Sequence, residues 1–266
     1  MKQITLGRFY PVDSPVHRLD PRIKLILTIL VMVAIFSVAR LTGYLIILIF
    51  VIIVSALSRV PFRMLCGGLR PMLFILILTF LVNALFSNGE TVLVRYGVLC
   101  ISVEGLQQAV HITLRIIFLI VGTSLLTLTT TPVMLCHGLE SLLSPLRVIR
   151  FPVQELAMMV TVALRFLPIL QDEAIQIRRA QAARGADFDS GNLINRIKAY
   201  MPVLIPLFAS AFRHAGNLAT AMESRCYRSD IRRTHLNVLR LGRNDAVACV
   251  VCCALLALIL LEGYSG

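Results

Sequence analysis

The sequence has 266 residues, of which 58% are hydrophobic and 15% charged, and its mean hydropathy is +0.83. These values exclude an ordinary water-soluble domain and a disordered chain, leaving an integral membrane protein. The 26 Lys and Arg residues against 14 Asp and Glu give a net charge of +12, a surplus whose meaning depends on where it falls along the chain.

The N-terminal segment carries Asp13 and Asp20, and its first apolar run begins only after Asp20-Pro21-Arg22-Ile23-Lys24. That is too late and too long for a cleavable leader, so the run is expected to remain as a membrane helix. Stretches apolar enough to cross ~30 Å of hydrocarbon at ~1.5 Å per residue follow at 24–39, 43–57, 71–87, 105–130 and 245–262, giving about five spans. Several are shorter than a free-standing span needs, which predicts a packed bundle. The seven cysteines (66, 100, 136, 226, 249, 252 and 253) form no CxxC pair flanked by polar residues and read as small hydrophobes.

Basic residues define the topology, because they collect on cytoplasmic flanks. All but Arg40, Arg95 and Arg115 lie in the N-terminal segment, the 58–70 loop or the 131–244 region. This places the N-terminus in the cytoplasm and the tail Glu262-Gly263-Tyr264-Ser265-Gly266 outside. It also accounts for the charge without nucleic acid. Membrane-surface phosphates and acidic partner surfaces are the expected counter-charges.

Region 131–244 reads as three amphipathic helices. The first opens after Thr131-Pro132, where proline suits a first turn, and closes near Ser144-Pro145. The second runs from Pro152 to about Ala183, apolar from Leu156 to Leu170 and charged thereafter. The third runs from about Leu193 to Arg225, with Pro202 and Pro206 as expected kinks. Hydropathy alone would also allow spans at 156–170 and 200–212. Glu155, Arg165, Arg213 and His214 would then enter hydrocarbon at about 2–3 kcal/mol or more each, whereas helices lying at the interface avoid that cost. The chain therefore divides into 1–130, with an N-terminal segment and four spans, 131–244 with cytoplasmic amphipathic helices, and 245–266 with a last span.

The second and third of these helices end alike. Ala183-Arg184-Gly185 and Ser224-Arg225-Cys226 each set one arginine at a helix C-terminus among small residues. A glycine there suits a left-handed cap, and the arginine complements the negative end of the helix dipole. Small neighbours also let the helix end approach another protein closely, where a guanidinium can fork onto carboxylates or carbonyls.

At these residues the sequence resembles the EcfT/CbiQ family, the transmembrane components of energy-coupling-factor (ECF) ABC transporters. The segment Tyr10-Pro11-Val12-Asp13-Ser14-Pro15-Val16-His17-Arg18-Leu19-Asp20-Pro21-Arg22-Ile23-Lys24 is similar to that family's N-terminal signature. Leu164-Arg165-Phe166-Leu167-Pro168 is similar to its middle signature, and Ala183-Arg184-Gly185 to its Ala-Arg-Gly motif. The resemblance covers residues 7–228. It implies an all-α, L-shaped membrane protein with about five transmembrane helices and a cytoplasmic coupling domain of crossed helices. Its two motif ends would dock into two ABC ATPase subunits of the EcfA and EcfA' type. Carried over, Arg184 matches fully, while at Arg225 the flanking Ser224 and Cys226 depart from Ala and Gly.

The same resemblance implies a prokaryotic cell membrane, a separate substrate-binding S component and uptake of vitamins or other micronutrients. The chain length and the stretch at 183–192 point to the shared vitamin type, with a dedicated cobalt or nickel type as the alternative. No Gly-rich loop ends in Gly-Lys-Ser/Thr, so ATP and Mg are expected on the partners and no cofactor on this chain. The five histidines are scattered and predict no metal site. Arg115, inside the fourth span, is expected to pair with backbone or a polar neighbour, or else to touch the S component. Arg165, Met158 and Met159 are further candidates for structural or S-component contact, the methionines supplying adaptable apolar surface. A self-contained transporter is disfavoured, since the spans hold almost no carboxylates and the two halves share no pattern.

Overall fold

The computed structural model describes residues 9–86, 91–96, 99–149, 151–186, 188, 193–228 and 242–264. In chain order its helices are α1 (Pro21–Phe36), α2 (Leu41–Ser58), α3 (Phe62–Gly67), α4 (Leu73–Phe86), α5 (Val103–Thr129), α6 (Pro132–Leu143), α7 (Val153–Ala183), α8 (Leu193–Glu223) and α9 (Arg243–Tyr264). Two 3-10 turns, Arg70–Met72 and Ser144–Ile149, connect them. The helical reading holds, with one addition. Strands β1 (Val92–Tyr96) and β2 (Leu99–Ser102) form an antiparallel hairpin with an irregularity between Val92 and Val94. The residues of β1 alternate too briefly to be separated by sequence from the apolar runs on either side.

Among the described residues, five helical stretches are long and apolar enough to cross a membrane: Leu41–Ser58, Phe62–Leu85, Val103–Thr129, Val153–Ala183 and Arg243–Gly263. Four coincide with expected spans. The 16 residues of α1 fall short of the ~20 that a span needs. In its place α7 qualifies by length and composition, because its apolar half continues unbroken into the charged half. Only 6% of its apolar window is buried within the chain.

The chain forms two compact units, Met1–Leu143 with Leu239–Gly266, and Ser144–Val238. Helix α6, read from sequence as the first of the three coupling helices, falls in the first unit and packs on α1. The core of that unit gathers Ala34 and Ile35 from α1, Val38 just after it, Tyr44, Ile47 and Val51 from α2, Phe118, Val121 and Leu125 from α5, and Leu255 and Ile259 from α9. Tyr44 stacks on Phe118, with ring centroids 6.0 Å apart, and its hydroxyl donates to the carbonyl of His111 at 3.1 Å. A buried aromatic with a polar tip thus packs its ring and satisfies its O–H.

The contact of α6 with α1 depends on Gly138. A Cβ there would lie 3.1 Å from both C and Cβ of Pro21 and 3.3 Å from the nitrogen of Arg22. Since part of that obstacle is backbone, Gly138→Val is expected to push α6 off α1 at a cost of about 1–3 kcal/mol. A thermal unfolding midpoint equal to that of the parent would show the contact to be looser.

In the second unit α7 packs on α8. Phe166 lies 5.8 Å from the ring of His214, and His214 Nε2 lies 3.6 Å from Glu173 Oε2. That contact is an ion pair only when the imidazole is protonated. Helix α7 continues through Pro168, and α8 through Pro202 and Pro206. Prolines in long apolar helices are tolerated where neighbouring groups take up the freed carbonyls.

Candidate functional site

The two arginine ends close with the same backbone geometry. At the end of α7, the N–H of Gly185 donates to Ala182 O at 3.0 Å and that of Ala186 to Gln181 O at 3.0 Å. At the end of α8, the N–H of Cys226 donates to Glu223 O at 2.9 Å and that of Tyr227 to Met222 O at 3.0 Å. Each pair is a Schellman cap, with the 6→1 and 5→2 bonds that close a helix on a left-handed residue. Gly185 takes that position with φ +89° and Cys226 with φ +54°. The departure of Ser224-Arg225-Cys226 from the small-Arg-Gly pattern therefore leaves the cap intact.

The cap fixes the preceding arginine in both cases. Ala183, Arg184 and Gly185 are exposed, as are Ser224, Arg225 and Cys226. Among the described residues neither the Arg184 nor the Arg225 guanidinium has a hydrogen-bond or ion-pair partner. Both remain available for an external acceptor. Holding a non-glycine residue in the left-handed region costs about 1–2 kcal/mol. Cys226→Gly is thus expected to firm the end of α8 by about 1 kcal/mol, read as slower amide exchange at Tyr227. Unchanged or faster exchange would show that the cysteine side chain compensates for its backbone.

The N-terminal signature builds a second feature, which is a clamp. Pro21 opens α1, and Asp20 caps it by accepting the N–H of Arg22 at 2.9 Å. Lys24, only 6% exposed, donates from Nζ to His17 O at 3.1 Å, Thr129 O at 3.0 Å and Thr130 Oγ1 at 3.3 Å. All three ammonium protons therefore have acceptors. Asp245, buried at the start of α9, accepts the Asp20 N–H at 2.9 Å through one carboxylate oxygen and the Gly242 N–H at 2.7 Å through the other. The Tyr10 N–H donates to Leu128 O at 3.0 Å, while His17 bridges Ser14 Oγ at 2.7 Å and Tyr10 O at 3.1 Å. Burial, then the nearby Lys24 charge, lowers the His17 pKa and favours the neutral ring these contacts use. The signature thus ties the start of α1 to the end of α5 and the start of α9. Sequence reasoning missed the clamp, although a lysine one turn after a helix-capping aspartate at the head of an apolar run was a usable signal.

Arg115 reaches from α5 to the end of α1. Its Nη2 lies 3.4 Å from the carbonyls of Phe36 and Val38, and its guanidinium sits 5.6 Å from the Phe36 ring centroid. Cationic donors at a helix C-terminus meet carbonyls that the helix itself leaves unpaired. On α7, Arg165 and Met159 are exposed and Met158 is half-buried. They lie in the second unit and Arg115 in the first. No group of three or more His, Cys, Asp or Glu that could hold a metal occurs among the described residues.

Several helices long and apolar enough to span a membrane, in a chain where two helices end in matched, exposed arginines, define a multi-pass membrane protein. Comparison with known proteins gives the class a family. The family model described as CbiQ, cobalt transport protein, matches residues 13–236. Relatives named energy-coupling factor transporter transmembrane protein EcfT are similar over nearly the whole chain. The one from Thermosediminibacter oceani is 48% identical over 93% of both chains. That from Ruminiclostridium cellulolyticum is 44% identical over 99% of this chain and 98% of the relative, and that from Heliobacterium modesticaldum 45% over 98% of both. The chain belongs to the CbiQ/EcfT family.

Proposed function

We propose that this chain is the non-catalytic coupling component of an ECF-type importer in a prokaryotic cell membrane. It holds two ABC ATPase subunits at the ends of α7 and α8. Motion driven by ATP on those partners passes along the apolar halves of the two helices to a substrate-binding S component, which then releases its cargo inside. The observation that carries this reading is the equivalence of the two caps. Each presents one exposed arginine at a rigid helix end, which suits a pair of related partners engaged in the same way. The difference between Gly185 and Cys226 favours two non-identical ATPases. The positive-inside rule supports a cytoplasmic N-terminus, since most basic residues fall in the N-terminal segment, the 58–70 loop and the 131–244 region. Exposed apolar residues such as Met159 and Leu167 on α7 and Phe208 and Phe212 on α8 supply surface for the S component.

The chain length and the stretch at 183–192 favour vitamin or other micronutrient cargo, and the cobalt description of the family model favours a dedicated metal importer. The S component decides between them, because cargo is bound there. Purification of the tagged chain from its native membrane is expected to bring down one or two ATPases and a small membrane protein, with ATP hydrolysis in the eluate. Recovery of the chain alone, transporting unaided in liposomes, would replace this reading with that of a self-contained transporter.

A further inference from the structure

The first unit contains an apolar cavity of about 480 Å³ between α1, α2, α5 and α9. Along α1 it is lined by Lys24, Leu27, Thr28, Val31, Met32 and Ile35, the i, i+3, i+4 stripe of one helix face. The 11 steps from Lys24 to Ile35 put its length at roughly 16 Å, at ~1.5 Å of rise per residue. That is about half of the ~30 Å hydrocarbon thickness, the depth of a single leaflet.

The two ends of the cavity differ. Thr129 and Asn244 join Lys24 at one end, while Gly122 and Cys252 lie about two helical turns deeper, where the lining is apolar. Water cannot fill such a space, because it needs two to four polar partners and only one end supplies any. A void of this size would forfeit dispersion contacts along its whole wall. The occupant must therefore be long, apolar and polar at one tip, and the hydrocarbon around these helices offers acyl chains.

The mouth also carries charge. Arg18 and Arg243 directly precede the lining residues Leu19 and Asn244, and Arg59 follows Leu57 by two; all three are exposed. Arg18 makes an exposed, 3.8 Å contact with Asp13. Lys24 is not available to a ligand, since its three protons are already donated.

We propose that this cavity seats one acyl chain of an anionic phospholipid, its phosphate held at the mouth by Arg18, Arg59 and Arg243. The proposal rests on the membrane placement of these helices and not on the coupling role.

Gly122 provides the test. A Cβ at this cavity-lining position meets nothing within 4 Å, so a larger side chain can fill the space without breaking the fold. Native mass spectrometry of the full chain in mild detergent, titrated with phosphatidylglycerol, is expected to show one retained lipid per chain. Retention should fall at least tenfold in Gly122→Leu. It should be unchanged in Gly216→Leu, an equally open glycine on α8. Replacing Arg18, Arg59 and Arg243 by Gln should abolish any preference over phosphatidylcholine. A phosphatidylglycerol carrying a photoreactive acyl tail should label peptides from the cavity wall, which checks the site without a variant. Equal retention in Gly122→Leu, or labelling confined to the outer face of α4, would overturn the proposal. So would a lipid held by the isolated chain but missing from the complex purified from membranes, since a partner segment would then fill the cavity.

Discussion

Replacing Arg184 and Arg225 together by alanine is expected to reduce retention of the ATPases by roughly a hundredfold to a thousandfold and to stop uptake. Buried interface arginines that fork onto a partner commonly cost about 2 kcal/mol or more when truncated, and two such anchors sum to about 4 kcal/mol. Both side chains are exposed and sit outside the helix cores, so the double variant should fold as the parent does. Arg184→Lys should fall between, because it keeps the charge and loses the planar fork. Single substitutions would show which end carries more of the affinity, with the Cys226-capped end as the one whose partner must tolerate a side chain. ATPase co-purification and uptake measured on the same membranes separate docking from coupling. Undiminished co-purification of the double variant would remove the two caps from the docking surface.

The clamp around Lys24 should give the largest effect on stability. Lys24→Met keeps the length and apolar contact of the side chain but leaves the carbonyls of His17 and Thr129 and the Thr130 hydroxyl without their donor. It also removes a positive charge that interacts with the buried Asp245. Losses of this kind cost about 3–5 kcal/mol, which for a chain of this size corresponds to roughly 10 °C in unfolding midpoint. Asp245→Asn should cost less, about 1–2 kcal/mol, since the amide can still accept one of the two backbone N–H groups. The double variant should cost less than the sum of the two, because the partners share one network. Reaction of the buried Cys252 thiol with a thiol-specific dye during heating reports the transition in detergent. A midpoint within a degree or two of the parent in Lys24→Met would mean that the three hydrogen bonds contribute nothing net.

Most of the helical plan was legible in the sequence because the apolar runs are long and their punctuation is chemical. Pro132 opens α6, Ala183-Arg184-Gly185 closes α7, the runs at 43–57 and 245–262 lie within α2 and α9, and the run at 105–130 passes the end of α5 by one residue. Two features were not legible. The hairpin at 92–102 depends on pairing between short strands, which carries little periodic signal. The assignment of α6 depends on its close approach to Pro21 through Gly138, a long-range contact with no local trace. At the candidate site, the arginines could be read from sequence, but the left-handed backbone at Cys226 could not, since cysteine is an uncommon residue there. The sequence left Arg115 either to backbone or a polar neighbour or to the S component, and the structure brings it to the carbonyls at the end of α1.

The Asp20–Asp245 link joins residues 225 positions apart. During synthesis, Lys24 and Asp20 are made long before the carboxylate that meets them. The bundle formed by α1, α2 and α5 must therefore wait for α9 before its polar knot can close, a long-range closure of the kind that slows folding. Until α9 is in place the Asp20 amide lacks its acceptor, so the start of the first helix is satisfied only by the last one described.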